Sequence, residues 1–188
     1  MALLDPLSAL GQTVFFDSFI FMKFSTYIFV SLALIGGLAS TALAEKKASK
    51  KEKRFVSLFN GSSTDQWMNA KSGKFPDKGW IIEDNCLKHL AKGGGGDIIT
   101  RNKYEEFDFR FEWKVAKGAN SGVKYFIIRD RGSLGHEYQV LDDANHPDGA
   151  KGANRQTAAF YDVLDPAKDK PLKPIGEFNS SRILVKGS

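Results

Sequence analysis

Cysteine is almost missing from this 188-residue chain. The single Cys86 excludes an intramolecular disulfide and any multi-cysteine zinc or iron–sulfur centre. Histidine and proline are also sparse, at three and six residues. Several catalytic signatures are absent: there is no G-x-S-x-G elbow, no H-E-x-x-H pair and no G-x-x-x-x-G-K-[ST] phosphate loop. His136-Glu137 begins like a zinc-protease helix motif, but position 140 is Val140, so the second histidine is missing. The Gly93–Gly96 run lacks the Lys and Ser/Thr of a phosphate loop and reads as a flexible turn between strands, with a ligand-approach loop as the alternative.

A concentrated basic surface is missing as well. The formal charge is +5, yet residues 45–54 hold six basic and two acidic groups, while residues 55–188 carry 20 basic and 18 acidic groups. A short charged run without aromatics reads as a solvated linker and offers nucleic acid no stacking groove. No nucleic-acid partner is expected.

What the chain has is an export signal and strands. From Met22, Lys23 supplies a positive start, Tyr27 to Leu38 form an apolar stretch, and Ala42-Leu43-Ala44 is a small-x-small cleavage site. The apolar stretch is short for a membrane span, Gly36-Gly37 weaken its helix, and no cysteine follows it for a lipid anchor. Cleavage after Ala44 and a periplasmic or extracellular location are the expectation. Membrane contact arises only if the N-terminal segment is retained. Residues 1–21, with two Asp and a Pro ahead of the positive start, read as an upstream extension of a chain that begins at Met22. The organisation is therefore 1–21 extension, 22–44 signal peptide, 45–54 basic linker and 55–188 folded domain.

The folded part is dominated by period-2 patterns, and no helical stripe stands out. FDFRFEWKV places Phe107, Phe109, Phe111, Trp113 and Val115 on one face, with charged residues on the other. GWIIED and CLKHL flank Asp84-Asn85, a hairpin-turn signal. Further strands are expected at 55–59, 97–100, 121–129, 136–141, 157–163 and 182–186. Many short strands between Gly, Asn, Asp and Pro clusters imply an all-β sandwich or jelly roll of two antiparallel sheets. RILVK followed by Gly187 leads into a turn, and a further strand beyond Ser188 is expected. Cys86 reads as a buried small hydrophobe.

HEYQVLD offers the best chemistry. Glu137 and Gln139 are two apart and project from one sheet face, about 7 Å apart along the strand. A carboxylate beside a carboxamide combines a proton acceptor with a hydroxyl-binding group. Asp142, Asp143 and His146 follow in 142–156, a loop long enough to be functional or disordered. Trp80 and Tyr104 are candidates to stack on sugar faces, alongside their alternative as core residues.

LFNG (58–61), GWIIEDNCLKHLAKGGGGDIITRNKYEEFDFRFEWKVAKGANSGVKYF, GHEYQVLDDANHP and GEFN (176–179) occur in one order over residues 55–188. In this combination the chain resembles the 3-keto-disaccharide hydrolase domain family. The resemblance implies a concanavalin A-like jelly roll, a carbohydrate substrate, and hydrolysis of 3-keto-glycosides in an exported protein. It carries Glu137, Gln139, Asp142 and His146 over as the polar positions of the acidic strand motif, and Asn120, Ser121 and Gly122 as a turn. A ketone at C3 acidifies the C2 proton, so a base can remove it and expel the C1 leaving group before water adds. The implied catalytic set is Glu137, His146 and Asp142, with either Glu137 or His146 as base. Gln139, Asn120, Trp80 and Tyr104 are the implied substrate contacts. A divalent metal ion bridging Glu137, Asp142 and His146 is a further option, and its mixed ligands do not identify the ion. The competing readings on the same fold are a non-catalytic carbohydrate-binding module and an envelope-tethered structural domain.

Overall fold

A computed structural model describes residues 55–128 and 134–187, together with the backbone of residues 10–16 and 20–23. Among the described residues there are ten strands: β1 (Leu10–Phe16), β2 (Ile20–Lys23), β3 (Trp67–Asn69), β4 (Trp80–Glu83), β5 (Cys86–His89), β6 (Ile98–Thr100), β7 (Phe107–Val115), β8 (Asn120–Ile128), β9 (Leu134–Leu141) and β10 (Asn179–Val185). They form two five-stranded sheets, ordered β3-β6-β1-β8-β9 and β10-β7-β2-β5-β4, with every named pairing antiparallel. The fold is an all-β sandwich of the jelly-roll kind. No helix among the described residues is long and apolar enough to cross a membrane.

The alternation of β7 sets the core. Phe107, Phe109, Phe111, Trp113 and Val115 are all buried, each side chain contributing about 1.5–3 kcal/mol by leaving water. The second sheet closes over them: Phe111 meets Tyr138 of β9 edge-on at 5.7 Å, and Phe107 meets Tyr125 of β8 at 6.4 Å. Polar groups fix the register as well as the spacing. The Trp113 indole N–H donates to Ser181 Oγ at 2.9 Å, and that hydroxyl also lies 2.8 Å from the Tyr138 hydroxyl. One β10 serine thus ties both sheets together.

Turn chemistry explains β4 and β5. Asp84 and Asn85 both adopt left-handed φ values, 51° and 58°. Two such residues in succession make the turn that matches strand twist in a two-residue hairpin. Cys86, just beyond, is fully buried.

Two expected strands are irregular. Residues 55–59 run as coil, although Leu58 and Phe59 are buried in the core. The Leu58 carbonyl accepts from the Trp67 indole N–H at 2.9 Å, a side-chain bond in place of a ladder. Residues 157–163 form turns, with Ala158 and Asp162 at positive φ and single bridges from Phe160 to Tyr138 and Leu164. The expected NSG turn is instead the start of β8.

The N-terminal segment enters both sheets at their centres. β1 lies between β6 and β8, and β2 lies between β5 and β7. β1 falls within the stretch read as an upstream extension, and β2 spans the expected start at Met22. The rest of the expected signal, with its cleavage site after Ala44, and the basic linker lie outside the described residues.

Candidate active site

Strands β8 and β9 form one wall of an open cavity of about 630 Å³. Their pairing sets Gly122 opposite Gln139 and Lys124 opposite Glu137. Asn120, Lys124, Glu137 and Gln139 line the cavity from these strands, joined by Tyr161 and by the segment from His89 to Asp97.

Glu137 stands in this cavity beside Lys124. Its side chain is 18% exposed, and Lys124 Nζ lies 3.6 Å from its Oε2. Burial pushes its carboxyl above the ordinary range, Lys124 opposes that shift, and Asp97 and Asp148 add to it. The net effect is a raised pKa, suited to exchanging protons nearer neutral pH. The carboxylate lies across Gly122: a Cβ there would sit 2.1 Å from Glu137 Oε1. Only glycine leaves that space.

Gln139 is 1% exposed, and its amide is engaged by the protein: Nε2 donates to the Arg155 carbonyl at 3.4 Å and Oε1 accepts from the Val140 N–H. It holds the following loop against the cavity floor. The opposite wall is the glycine run, which is no simple turn. Gly94, Gly95 and Gly96 adopt φ values of 74°, 83° and 66°. The Gly94 carbonyl meets His89 Nε2 at 3.1 Å, and the Gly96 carbonyl accepts from the Trp80 indole at 2.9 Å. Backbone conformation and these anchors press the loop onto the cavity.

The long loop after β9 is ordered around buried Asp148. Lys151, Arg155 and the Tyr161 hydroxyl all bond its carboxylate, and Arg155 reaches on to Asp162. Burial alone pushes Asp148 up, but these bonds prevail and hold it at about 2. Tyr161 is pushed to about 12 by burial and by Asp148, so its hydroxyl keeps its proton. The backbone N–H of Tyr161 donates to the Glu137 carbonyl at 3.0 Å, which ties this network to β9.

The sign of the Asp148 shift makes a prediction. Its unfolded carboxyl titrates near pH 4, about two units above the folded one. The stability it contributes is complete above pH 4 and is lost as pH falls through 2. Asp148→Asn is expected to lower stability at pH 7 by roughly 1–3 kcal/mol, because Arg155 and Tyr161 lose a buried acceptor. Denaturant unfolding at pH 7 and pH 3 checks this, with a smaller difference expected at the lower pH.

Asp142 and His146 serve the loop. Asp142 accepts from the backbone N–H groups of Gly118, Ala144 and Asn145 and from the Asn145 amide. Although burial opposes it, these bonds lower its pKa. His146 Nδ1 accepts from the Asp148 N–H at 3.1 Å. Asp142 borders a separate cavity of about 230 Å³, and neither residue lines the Glu137 cavity. Among the described residues no three His, Cys, Asp or Glu side chains gather as a metal site. The expected bridge of Glu137, Asp142 and His146 is therefore not formed, because the loop consumes the oxygens of Asp142. Trp80 is 5% exposed and packs 4.9 Å from the His89 ring, while Tyr104 packs on the core. Neither lines the cavity, so the stacking expected of them goes into packing.

Sequence reasoning missed Lys124, Tyr161 and His89. Lys124 had a signal: it shares the Asn120–Gly122 alternation, which faces the Glu137–Gln139 side once the strands pair. Tyr161 and His89 had none, since loop closure brings them in.

Fold and site together define an antiparallel sandwich whose open cavity carries a carboxylate of raised pKa beside a lysine. The chain belongs to the 3-keto-alpha-glucoside-1,2-lyase-like domain family, which residues 54–188 match. It is also similar to a 3-keto-disaccharide hydrolase of Bacteroides thetaiotaomicron, 37% identical over 153 aligned residues that cover 70% of this chain and 52% of that protein. The chain thus spans about half the length of that curated relative.

Proposed function

We propose that this domain cleaves the glycosidic bond of a 3-keto-disaccharide by elimination and water addition. The observation that carries the reading is the raised-pKa Glu137 carboxylate in an open cavity, in a chain of this family. Glu137 takes the C2 proton, made acidic by the neighbouring ketone. The C2–H electron pair forms C2=C3 and the carbonyl pair moves onto the C3 oxygen. Collapse of that enolate re-forms C3=O, makes the C1=C2 bond and breaks the C1–O bond, and the departing oxygen takes a proton from water. Water then adds at C1, with a proton returned to C2. Asn120, which lines the cavity, holds a sugar hydroxyl in this reading, and Gln139 keeps the floor of the site in place.

Export is the second part of this reading, supported by the positive and apolar parts of residues 22–44. Because β1 and β2 lie ahead of Ala44, the exported domain would have to keep that segment. An exported domain would meet such sugars in the periplasm or outside the cell.

The test is to incubate the purified chain with a 3-keto-disaccharide and with its unoxidised parent, and to follow the released sugars by chromatography. Cleavage of the keto sugar alone is expected. Cleavage of neither, with both bound, would favour a binding module. Gly122→Ala supplies a second check. Its new methyl must displace the Glu137 carboxylate, so turnover is expected to fall by roughly tenfold or more, as misplacement of reacting groups by about an ångström does. Wild-type turnover in that variant would show that the carboxylate position is immaterial.

A further inference from the structure

We propose that Lys124 is a catalytic electrophile, its ammonium group stabilising the enolate oxygen that forms at C3 when Glu137 removes the C2 proton. The inference rests on the functional reading above and extends it to a residue with a defined task.

The geometry supports it in three ways. Lys124 and Glu137 are directly opposite in the β8–β9 ladder, so rigid, paired strands fix the cation relative to the base. The Lys124 ammonium lies 3.6 Å from Glu137 Oε2, and both side chains are largely withdrawn from water, at 16% and 18% exposure. The other cations near the cavity are differently placed: Lys92 is exposed at the rim, and Arg155 is bonded to Asp148, Asp162 and Tyr161.

The chemistry needs a cation at such a place. Before the reaction the negative charge sits on Glu137. As the C2–H bond breaks, the proton passes to the carboxylate, the C2 electron pair forms C2=C3, and the carbonyl pair moves onto the C3 oxygen. When that enolate collapses, C3=O reforms, C1=C2 forms and the C1–O bond breaks. The charge thus moves from the base to an oxygen only two bonds from the carbon being deprotonated. A cation beside the base faces both positions, so its ion pair with Glu137 in the resting site is exchanged for one with the enolate. Held away from bulk water, a fixed charge aimed at a developing oxyanion is worth far more than in solution.

The test compares wild type, Lys124→Met, Lys124→Gln and Lys124→Arg on a 3-keto-disaccharide, with thermal unfolding of each. The proposal expects kcat to fall about 100-fold or more in the Met and Gln variants, in the range typical for loss of an oxyanion-stabilising group. KM should stay within a few-fold. Arg, which keeps the charge, should restore at least tenfold of the loss. A lysine that only held the strand pair would instead change stability, with kcat following the folded fraction. An active wild type with kcat within threefold in a folded Met or Gln variant overturns this inference alone. An inactive wild type overturns the functional reading, and this inference with it. If neither neutral variant folds, Arg decides: turnover of at least a tenth of wild type supports the charge role, and a folded, inactive Arg variant contradicts it.

Discussion

Replacing Glu137 with glutamine is expected to lower turnover about 100-fold or more, the usual scale for loss of a general base. Glutamine keeps the size of the side chain and still fits across Gly122, where the glutamate carboxylate lies. It cannot accept the proton. Folding should survive, because what is lost in stability is one part-buried ion pair with Lys124. The wild-type pH profile supplies the companion result. The proposed mechanism requires the ionised carboxylate, so kcat/KM should fall on the acid side as pH drops through the Glu137 pKa. Burial raises that pKa, so the fall should begin above the ordinary carboxylate range. Turnover near wild type in a folded Glu137→Gln protein would remove Glu137 as the base.

Removing residues 1–44 is expected to have the largest effect on stability. β1 is hydrogen-bonded to β6 on one side and β8 on the other, and β2 to β5 and β7. Cutting after Ala44 takes away both strands and opens each sheet at its centre. The exposed backbone edges cannot pair across the gap, and unpaired edges promote association. The loss is comparable to the whole stability of a typical domain, about 5–15 kcal/mol. A protein beginning at Glu45 should therefore unfold at a much lower temperature than the 188-residue chain, or associate through the opened edges. Thermal unfolding and light scattering of the two forms, beside the intact mass of the exported product, check this. Equal, cooperative unfolding of two monomers would show that the sandwich does not depend on β1 and β2.

The parts of this fold legible from sequence are those with local causes. The five-residue apolar face of β7 and the Asp84-Asn85 turn need no distant partner to specify them, and both lie where alternation and turn chemistry put them. The segment 55–59 was misleading because its apolar residues are buried without a ladder: the Trp67 indole takes the Leu58 carbonyl. The 157–163 stretch has strand-like composition, but left-handed turns at Ala158 and Asp162 break it.

The site divides along the same line. Period 2 is enough to place Glu137 and Gln139 on one face. It cannot show that Lys124 stands opposite Glu137, which depends on cross-strand register. Asp142 and His146 look available in the sequence because hydrogen bonds to loop backbone cannot be read there. Trp80 has the composition of a sugar platform, yet its indole is committed to Gly96 and His89. The glycine run carried more meaning than its composition suggested, since three successive positive φ values shape the wall facing Glu137.

The central claim is that the bond at C1 breaks because a proton leaves C2. Running the reaction on a 3-keto-disaccharide in deuterium oxide tests it most directly, with the released keto sugar read by mass spectrometry and NMR. The free product in the same solvent serves as the control for spontaneous exchange. The account predicts one deuterium at C2 of the released sugar, appearing in step with cleavage and faster than the control, and lost with turnover in Glu137→Gln. Enzyme-dependent cleavage that leaves the original hydrogen at C2 would contradict it.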